Sequence, residues 1–317
     1  MNYIVETKNL KKHFGNIKAV NGINLKIREG IIFGLLGPNG AGKTTTIKML
    51  ITLLAPTGGE AFVCNFDIDK EPEKVRFGIG YVTQETALDK TLTGRENLLL
   101  WGNLYHLSAD TLRKRVDEVL NLVELTDRAD SQVKTYSGGM KKRLDIASGL
   151  LHSPRLLFLD EPTLGLDIQT RRRIWDYIRD LKEKGMTIII TTHYLEEADN
   201  LCDEVAIIDY GEIKKSGSPS ELKIEMGEQM IQLKFSSCND KAIKELTEKI
   251  NSFTCIKNIL LTKEGMNIYT SYSDDLLLKI PQLAREASLH VESLTFSKPS
   301  LDDLFLNITG HKIRDES

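Results

Sequence analysis

The chain has 317 residues, 41% of them hydrophobic and 27% charged, with a formal net charge of −3. That is the balance of a soluble globular protein holding one large domain or two moderate ones. The near-neutral charge leaves no bulk footprint for nucleic acid, so no nucleic-acid partner is expected.

No run approaches the ~18 apolar residues of a membrane span, so a role at a membrane needs another chain to supply the span. The start, Met1-Asn2-Tyr3-Ile4-Val5-Glu6, is not that of a signal peptide. Cys64, Cys202, Cys238 and Cys255 have neither metal-ligand nor redox spacing and read as reduced core filler of a cytosolic protein.

Residues 3–10 and 22–28 alternate apolar and polar positions, as half-buried strands do, around a turn at His13-Phe14-Gly15-Asn16. Phe14 is a candidate to stack on a base. The run Ile31-Ile32-Phe33-Gly34-Leu35-Leu36 reads as a buried strand. It leads into Gly37-Pro38-Asn39-Gly40-Ala41-Gly42-Lys43-Thr44-Thr45, which fits Gly, four residues, Gly-Lys-Thr, and then into a helical stretch through Leu50. A strand, a glycine loop and a helix start make a phosphate cradle, where backbone N–H groups converge with the positive helix end. Lys43 is placed to reach β- and γ-phosphates, and the Thr44 hydroxyl to hold Mg²⁺.

A turn at residues 55–60 precedes a strand at 61–64, and Ile79-Gly80-Tyr81-Val82 is a further short strand. It ends at Gln84, a candidate for a Mg²⁺ or water contact. Thr93-Gly94-Arg95-Glu96 has the form of a capping box and opens a helix through Leu107. Leu112, Val116, Val119, Leu120 and Val123 mark a second helix, so residues 86–136 read as a helical insert. Ser137-Gly138-Gly139 opens another helix and forms a second helix-start anion site. The basic runs Lys141-Lys142-Arg143 and Arg171-Arg172-Arg173 read as solvated helix faces.

Leu156-Leu157-Phe158-Leu159-Asp160-Glu161 is an apolar strand ending in two carboxylates, where ligands collect in open α/β sheets. Asp160 is placed to support Mg²⁺, and Glu161 to orient or deprotonate the water attacking a γ-phosphate. His193 follows the strand 187–192 and can bond the γ-phosphate while holding Glu161 in place. Near-continuous apolar strands separated by helices imply a parallel sheet covered on both faces. Residues 205–213 read as a hairpin turning at Tyr210-Gly211, and Ser216-Gly217-Ser218-Pro219 as a boundary. Beyond residue 228, a strand at 230–235 and a helix at 242–250 begin a small α+β domain.

The phosphate loop, Gln84, Ser137-Gly138-Gly139, Asp160-Glu161 and His193 stand in the order of ATP-binding cassette (ABC) ATPases, which the chain resembles over about residues 3–225. The resemblance implies an α/β P-loop NTPase fold: a RecA-like core with a mixed sheet, an antiparallel β subdomain and a helical signature subdomain at about 86–150. It also implies a nucleotide-binding domain at 1–225, an accessory α+β domain at 228–310 and a tail at 311–317. ATP and Mg²⁺ are the implied cofactors, with Thr44, Gln84 and Asp160 on the metal. Phe14 resembles the adenine-stacking aromatic, and Gln84 the glutamine that senses a transmembrane partner. Ser137-Gly138-Gly139 resembles the signature that grips the γ-phosphate of the opposite subunit, and Asp167 the aspartate that communicates across the dimer. Tyr136 and Met140 stand where many members have Leu and Gln, and Leu164-Gly165-Leu166-Asp167 replaces the usual Ser-Ala-Leu-Asp. One phosphate loop and one signature imply a head-to-tail dimer, either a homodimer or a heterodimer with a sister ATPase.

Leu92-Thr93-Gly94-Arg95-Glu96-Asn97-Leu98, Thr192-His193-Tyr194-Leu195-Glu196-Glu197-Ala198-Asp199 and Pro299-Ser300-Leu301-Asp302-Asp303-Leu304-Phe305-Leu306 resemble daunorubicin-resistance-type exporter ATPases. This implies a subunit peripheral on the inner face of the cell membrane. It would power efflux of a drug, antibiotic or lipid-like substrate through a separate permease. The alternative is a soluble non-transport ABC ATPase acting on ribosomes or DNA. Such proteins usually carry two cassettes or long coiled-coil insertions, and this chain has neither.

Overall fold

The computed structural model describes residues 3–236, 239–271 and 274–309; Cys238 and the tail at 311–317 lie outside the described residues. The chain divides into two compact units between Ser216 and Gly217, within the Ser216-Gly217-Ser218-Pro219 stretch read above as a boundary and ahead of the domain limits at 225 and 228 that the resemblance implies.

In the first unit, β1 (Tyr3–Phe14) and β2 (Ile17–Arg28) form one long antiparallel hairpin. Both strands run further than their alternation suggests, so Phe14 ends a strand and Gly15-Asn16 make the turn. The sheet is completed in the order β2-β1-β4-β5, with β4 (Gly58–Val63) and β5 (Phe66–Asp67). β4 starts at Gly58, ahead of the expected Ala61, because its first residues pair with Lys11 and Lys8 on the lengthened β1.

The second sheet has the order β10-β9-β3-β8-β7-β6. Its strands are β3 (Ile32–Leu36), β6 (Ile79–Val82), β7 (Leu156–Asp160), β8 (Thr187–Thr192), β9 (Glu204–Asp209) and β10 (Glu212–Gly217). From β9 to β6 every neighbouring pair is parallel. Each residue of β3, β7 and β8 is buried, as expected for central strands flanked by helices. The expected Tyr210-Gly211 turn joins β9 to β10.

Helices α1 (Lys43–Leu50), α2 (Pro72–Gly78), α3 (Gly94–Leu104), α4 (Ala109–Leu122), α5 (Gly138–Leu150), α6 (Ile168–Glu183) and α7 (Leu195–Leu201) link these strands. α2 has no counterpart in the sequence reading; at seven residues its periodicity is too short to read. The capping box of α3 forms as expected, with Glu96 N–H donating to Thr93 Oγ1 at 3.1 Å and Thr93 N–H to Glu96 Oε2 at 2.8 Å. α3 stops at Leu104 rather than Leu107 because His106 turns into the left-handed region at φ 56°.

Parallel strands point their carboxyl ends the same way, so the segments after β3, β8, β7 and β6 emerge side by side. The register keeps them level: Leu36 lies opposite Thr192, and Asp160 opposite Thr191.

The second unit comprises α8 (Pro219–Met226), β11 (Gln229–Phe235), α9 (Asp240–Asn251), β12 (Ile256–Thr262), β13 (Gly265–Thr270), α10 (Asp274–Glu286), β14 (Val291–Ser297) and α11 (Leu301–Thr309). Its sheet runs β12-β13-β11-β14 with every pair antiparallel. This βαββαβ arrangement is the ferredoxin-like topology. α9 and α10 cover one face, packing Leu246, Ile250 and Ile280 on Ile231, Leu233 and Ile268. At the start of α11, Asp303 N–H donates to Ser300 Oγ at 3.2 Å and Ser300 N–H to Asp303 Oδ2 at 2.9 Å. Leu301, Leu304 and Phe305 are each 1% exposed. Helix capping and core packing therefore account for the Ser-Leu-Asp-Asp-Leu-Phe pattern.

Candidate nucleotide site

The phosphate loop leaves β3 and enters α1 through Gly42, which sits at φ 107° and caps the helix. A side chain at Gly42 would be strained by that φ and would meet the Ala19 carbonyl oxygen at 2.5 Å. No side chain caps α1 and no acidic residue occupies its first turn, which leaves the positive end of the helix facing the loop. Lys43 is 5% exposed, and Nζ donates to the carbonyl oxygens of Gly37 at 2.7 Å and Pro38 at 3.2 Å. Burial pushes its ammonium below the ordinary lysine range, against the opposing pull of Glu161 and Asp160.

The loop forms one wall of an open cleft of about 530 Å³. Pro38, Asn39, Gly40, Gly42, Lys43, Thr44 and Thr45 line that wall. Gln84, Glu161 and His193 reach the cleft from the ends of β6, β7 and β8. Ala19, Leu164 and Tyr194, to which the sequence assigned no site role, line it as well.

Glu161 stands between two nitrogens. Its Oε1 is 3.6 Å from Lys43 Nζ, and its Oε2 is 2.9 Å from His193 Nδ1. With the carboxylate ionised, Nδ1 carries the proton and donates. Glu161 adopts φ 48°, a left-handed conformation that costs a non-glycine residue roughly 1–3 kcal/mol. The surroundings hold it there. Its N–H donates to Thr191 Oγ1 at 3.0 Å, and the Leu164 N–H donates to its carbonyl at 3.2 Å. Thr163 Oγ1 donates to the buried Glu197 Oε1 at 2.7 Å, which also accepts from Trp175 Nε1 at 2.9 Å.

Asp160 is buried beneath the cleft, with Thr191 Oγ1 donating to its Oδ1. Burial and then the Asp160 charge push the neighbouring Tyr81 hydroxyl up to about 12. Among the described residues no group of three His, Cys, Asp or Glu side chains could hold a metal by itself. Mg²⁺ does not need one, since it binds through one or two carboxylates together with phosphate oxygens and water. Thr44 and Gln84 in the cleft, with Asp160 below, provide an all-oxygen donor set that fits it.

The expectation of a solvated face at Lys141-Lys142-Arg143 is overturned at its centre. Lys142 is 5% exposed, and Nζ donates to the Thr83 carbonyl at 3.1 Å, one residue before Gln84. It lies 3.8 Å from the buried Asp145, whose Oδ2 makes no hydrogen bond and whose carboxyl burial pushes up to about 6. A basic run at helical spacing carries no sign of which member turns inward.

Ser137 caps α5 by accepting from Met140 N–H at 3.2 Å. A Cβ on Gly139 would meet Thr170 Cγ2 at 2.6 Å, so the signature loop packs closely on the start of α6. Asp167 caps α6, accepting from Thr170 N–H at 2.9 Å and Thr170 Oγ1 at 2.6 Å; these bonds hold its carboxyl below the usual range. Ser137, Gly138, Gly139 and Asp167 do not line the cleft, and neither does Phe14, which is 48% exposed with the Lys12 ammonium 5.2 Å from its ring centroid. Gly37, Ala41 and Asp160 also lie behind the lining.

Residues 20–164 match the family model described as ABC transporter. The chain is 40% identical to the daunorubicin/doxorubicin resistance ATP-binding protein DrrA of Streptomyces peucetius, over 99% of this chain and 94% of that protein. It is 40% identical to the linearmycin resistance ATP-binding protein LnrL of Bacillus subtilis, over 98% of this chain and 100% of that protein. Among solved structures it is similar to cbiO1 of Clostridium perfringens, part of the ABC transporter complex cbiONQ. That match has a TM-score of 0.67 and 31% identity over 71% of this chain and 92% of that one.

Proposed function

This chain belongs to the ABC transporter family as the ATP-binding and ATP-hydrolysing subunit of an exporter, and we propose that the cleft above β3, β8, β7 and β6 is its hydrolytic site. The contact of Glu161 with both Lys43 and His193 carries this reading. The N–H groups of the phosphate loop and the Lys43 ammonium hold the β- and γ-phosphates, as the uncapped start of α1 favours. Thr44, Gln84 and Asp160 would hold Mg²⁺, which when bound would supply charge neutralisation on the phosphates. Glu161 accepts a proton from the attacking water or orients it. His193 donates from Nδ1 to Glu161 and, when doubly protonated, from Nε2 to the γ-phosphate.

Phe14 stacks on adenine in this reading. Ser137, Gly138 and Gly139, which do not line the cleft of their own chain, complete the site of a second subunit, with Asp167 beside that contact. The working unit is then a head-to-tail homodimer, or a heterodimer with a sister ATPase. Its permease is a separate chain; among the described residues no helix is long and apolar enough to cross a membrane. The subunit docks on that permease at the inner face of the membrane, and the cargo is a drug, antibiotic or lipid-like compound, a reading supported by relatives named for daunorubicin, doxorubicin and linearmycin resistance.

The test is Glu161→Gln. Hydrolysis should fall by about 10²–10⁴-fold with ATP affinity retained, and ATP with Mg²⁺ should then trap the dimer. Wild-type turnover in this variant would remove Glu161 from the mechanism. Extraction of the trapped form from native membranes in mild detergent should bring down a multi-span membrane protein. Recovery on ribosomes or DNA, with none on membranes, would defeat the exporter assignment.

A further inference from the structure

Tyr194 lines the cleft yet has no part in the roles above. Its ring centroid lies 4.1 Å from that of the His193 imidazole, with the planes tilted by 41°. Beside the same ring, the guanidinium carbon of Arg171 is 4.3 Å from the centroid. That distance lies within the range in which a cation is drawn to an aromatic face. Arg171 Nε is buried and makes no hydrogen bond, so the ring is its neighbour where an acid or carbonyl is usual. The backbone fixes both ends of the stack. Arg171 N–H donates to the Asp167 carbonyl at 2.8 Å in the first turn of α6, and Tyr194 N–H donates to Thr192 Oγ1 at 2.9 Å.

The contacts form one series: Arg171 on Tyr194, Tyr194 on His193, His193 on Glu161. We propose that Arg171 and Tyr194 are positioning residues for hydrolysis, holding the His193 imidazole so that Glu161 stays aimed at the attacking water. This rests on the reading of Glu161 and His193 as the hydrolytic pair. Neither residue touches the reacting atoms; each acts through the imidazole. An aliphatic side chain at 194 offers no π face to the guanidinium or the imidazole, so the imidazole gains freedom about its own χ angles. Misplacing a catalytic group by a fraction of an ångström is enough to slow a reaction that depends on alignment. The series also joins the turn capped by Asp167 to the catalytic carboxylate. Movement of the start of α6 therefore reaches Glu161 without any contact between the two acids.

The test is single-turnover ATP hydrolysis by the full chain, with ATP affinity measured separately. Tyr194→Leu and Arg171→Leu should each slow hydrolysis about tenfold while shifting ATP affinity less than about twofold, the signature of a group that matters only in the transition state. Tyr194→Phe keeps the ring and should keep the rate. In a His193→Ala background neither leucine variant should cost anything more, because residues acting through one imidazole are not additive. Wild-type rates in both leucine variants, or losses that multiply with His193→Ala, would overturn the proposal. If Tyr194→Leu fails to fold, Arg171→Leu on the half-buried face of α6 supports the same comparison alone. A His193→Ala variant with wild-type turnover would instead overturn the hydrolytic pair itself, a different result from independence of Tyr194.

Discussion

Nδ1 of His193 lies 2.9 Å from Oε2 of Glu161, joining the end of β8 to the end of β7 across the base of the cleft. The other Glu161 oxygen is 3.6 Å from the Lys43 ammonium. One carboxylate thus touches the phosphate loop and the histidine segment, so changes at any of the three should be felt at the others.

Lys43 makes the first case. Its ammonium is buried among the Gly37 and Pro38 carbonyls, poised at the loop that receives phosphate. Lys43→Ala removes a charge-assisted partner of the phosphates and should weaken ATP binding by about 2–3 kcal/mol, roughly 30- to 150-fold. Isothermal titration with ATP and Mg²⁺ measures this, and unchanged affinity would count against the loop as the phosphate site.

The backbone of Glu161 supplies the second. Because its φ of 48° suits glycine, Glu161→Gly should be more stable than Glu161→Ala by about 1–2 kcal/mol. In thermal unfolding that is a difference of about 2–8 °C for a domain of this size. Both variants should be inactive, so stability and activity separate at one position.

Asp145 gives a pH dependence. Burial raises its carboxyl from the ordinary 3.8 to about 6, so the folded state binds this proton more tightly than the unfolded state. The group therefore favours folding below its unfolded value, and that contribution is lost as pH rises through about 6. The loss amounts to about 3 kcal/mol at most. Asp145→Asn should flatten the slope of the urea midpoint between pH 4 and 7; an unchanged slope would mean that Lys142 already compensates the buried charge.

In the second unit, Phe305 is 1% exposed on α11. Phe305→Ala should cost about 3–5 kcal/mol through lost burial and the cavity left behind. Ser300→Ala, which removes only the cap, should cost about 1 kcal/mol. Hydrogen exchange along β11 and β13 reads both, and equal effects would separate the stability of this unit from its packing on α11.

The legible parts of the chain were those whose physics is local. The phosphate loop is visible because glycines and a helix start lie within nine consecutive residues, and the capping box of α3 because Thr93 and Glu96 are one turn apart. Strand alternation in β1 and β2 fades near their joining turn, so those strands read short. α2 has too few residues for its period to show. The inward turn of Lys142 is invisible in a run of three basic residues, since the Thr83 carbonyl that it meets lies on a different strand end.

By itself the sequence determined which chemical groups are present and the strand-loop-helix frame that presents each of them: Lys43 and Thr44 at a helix start, Asp160 and Glu161 at one strand end, His193 at another. Tertiary structure alone decided that these ends stand level and adjacent, because that depends on the sheet order β3-β8-β7-β6 and its register. It alone set the Arg171 guanidinium against the Tyr194 ring and that ring against His193, and put Glu161 in a left-handed turn held by Thr191. Short-range hydrogen bonding and periodicity are written into neighbouring residues. Contacts between distant strand ends arise only when the whole sheet closes its core.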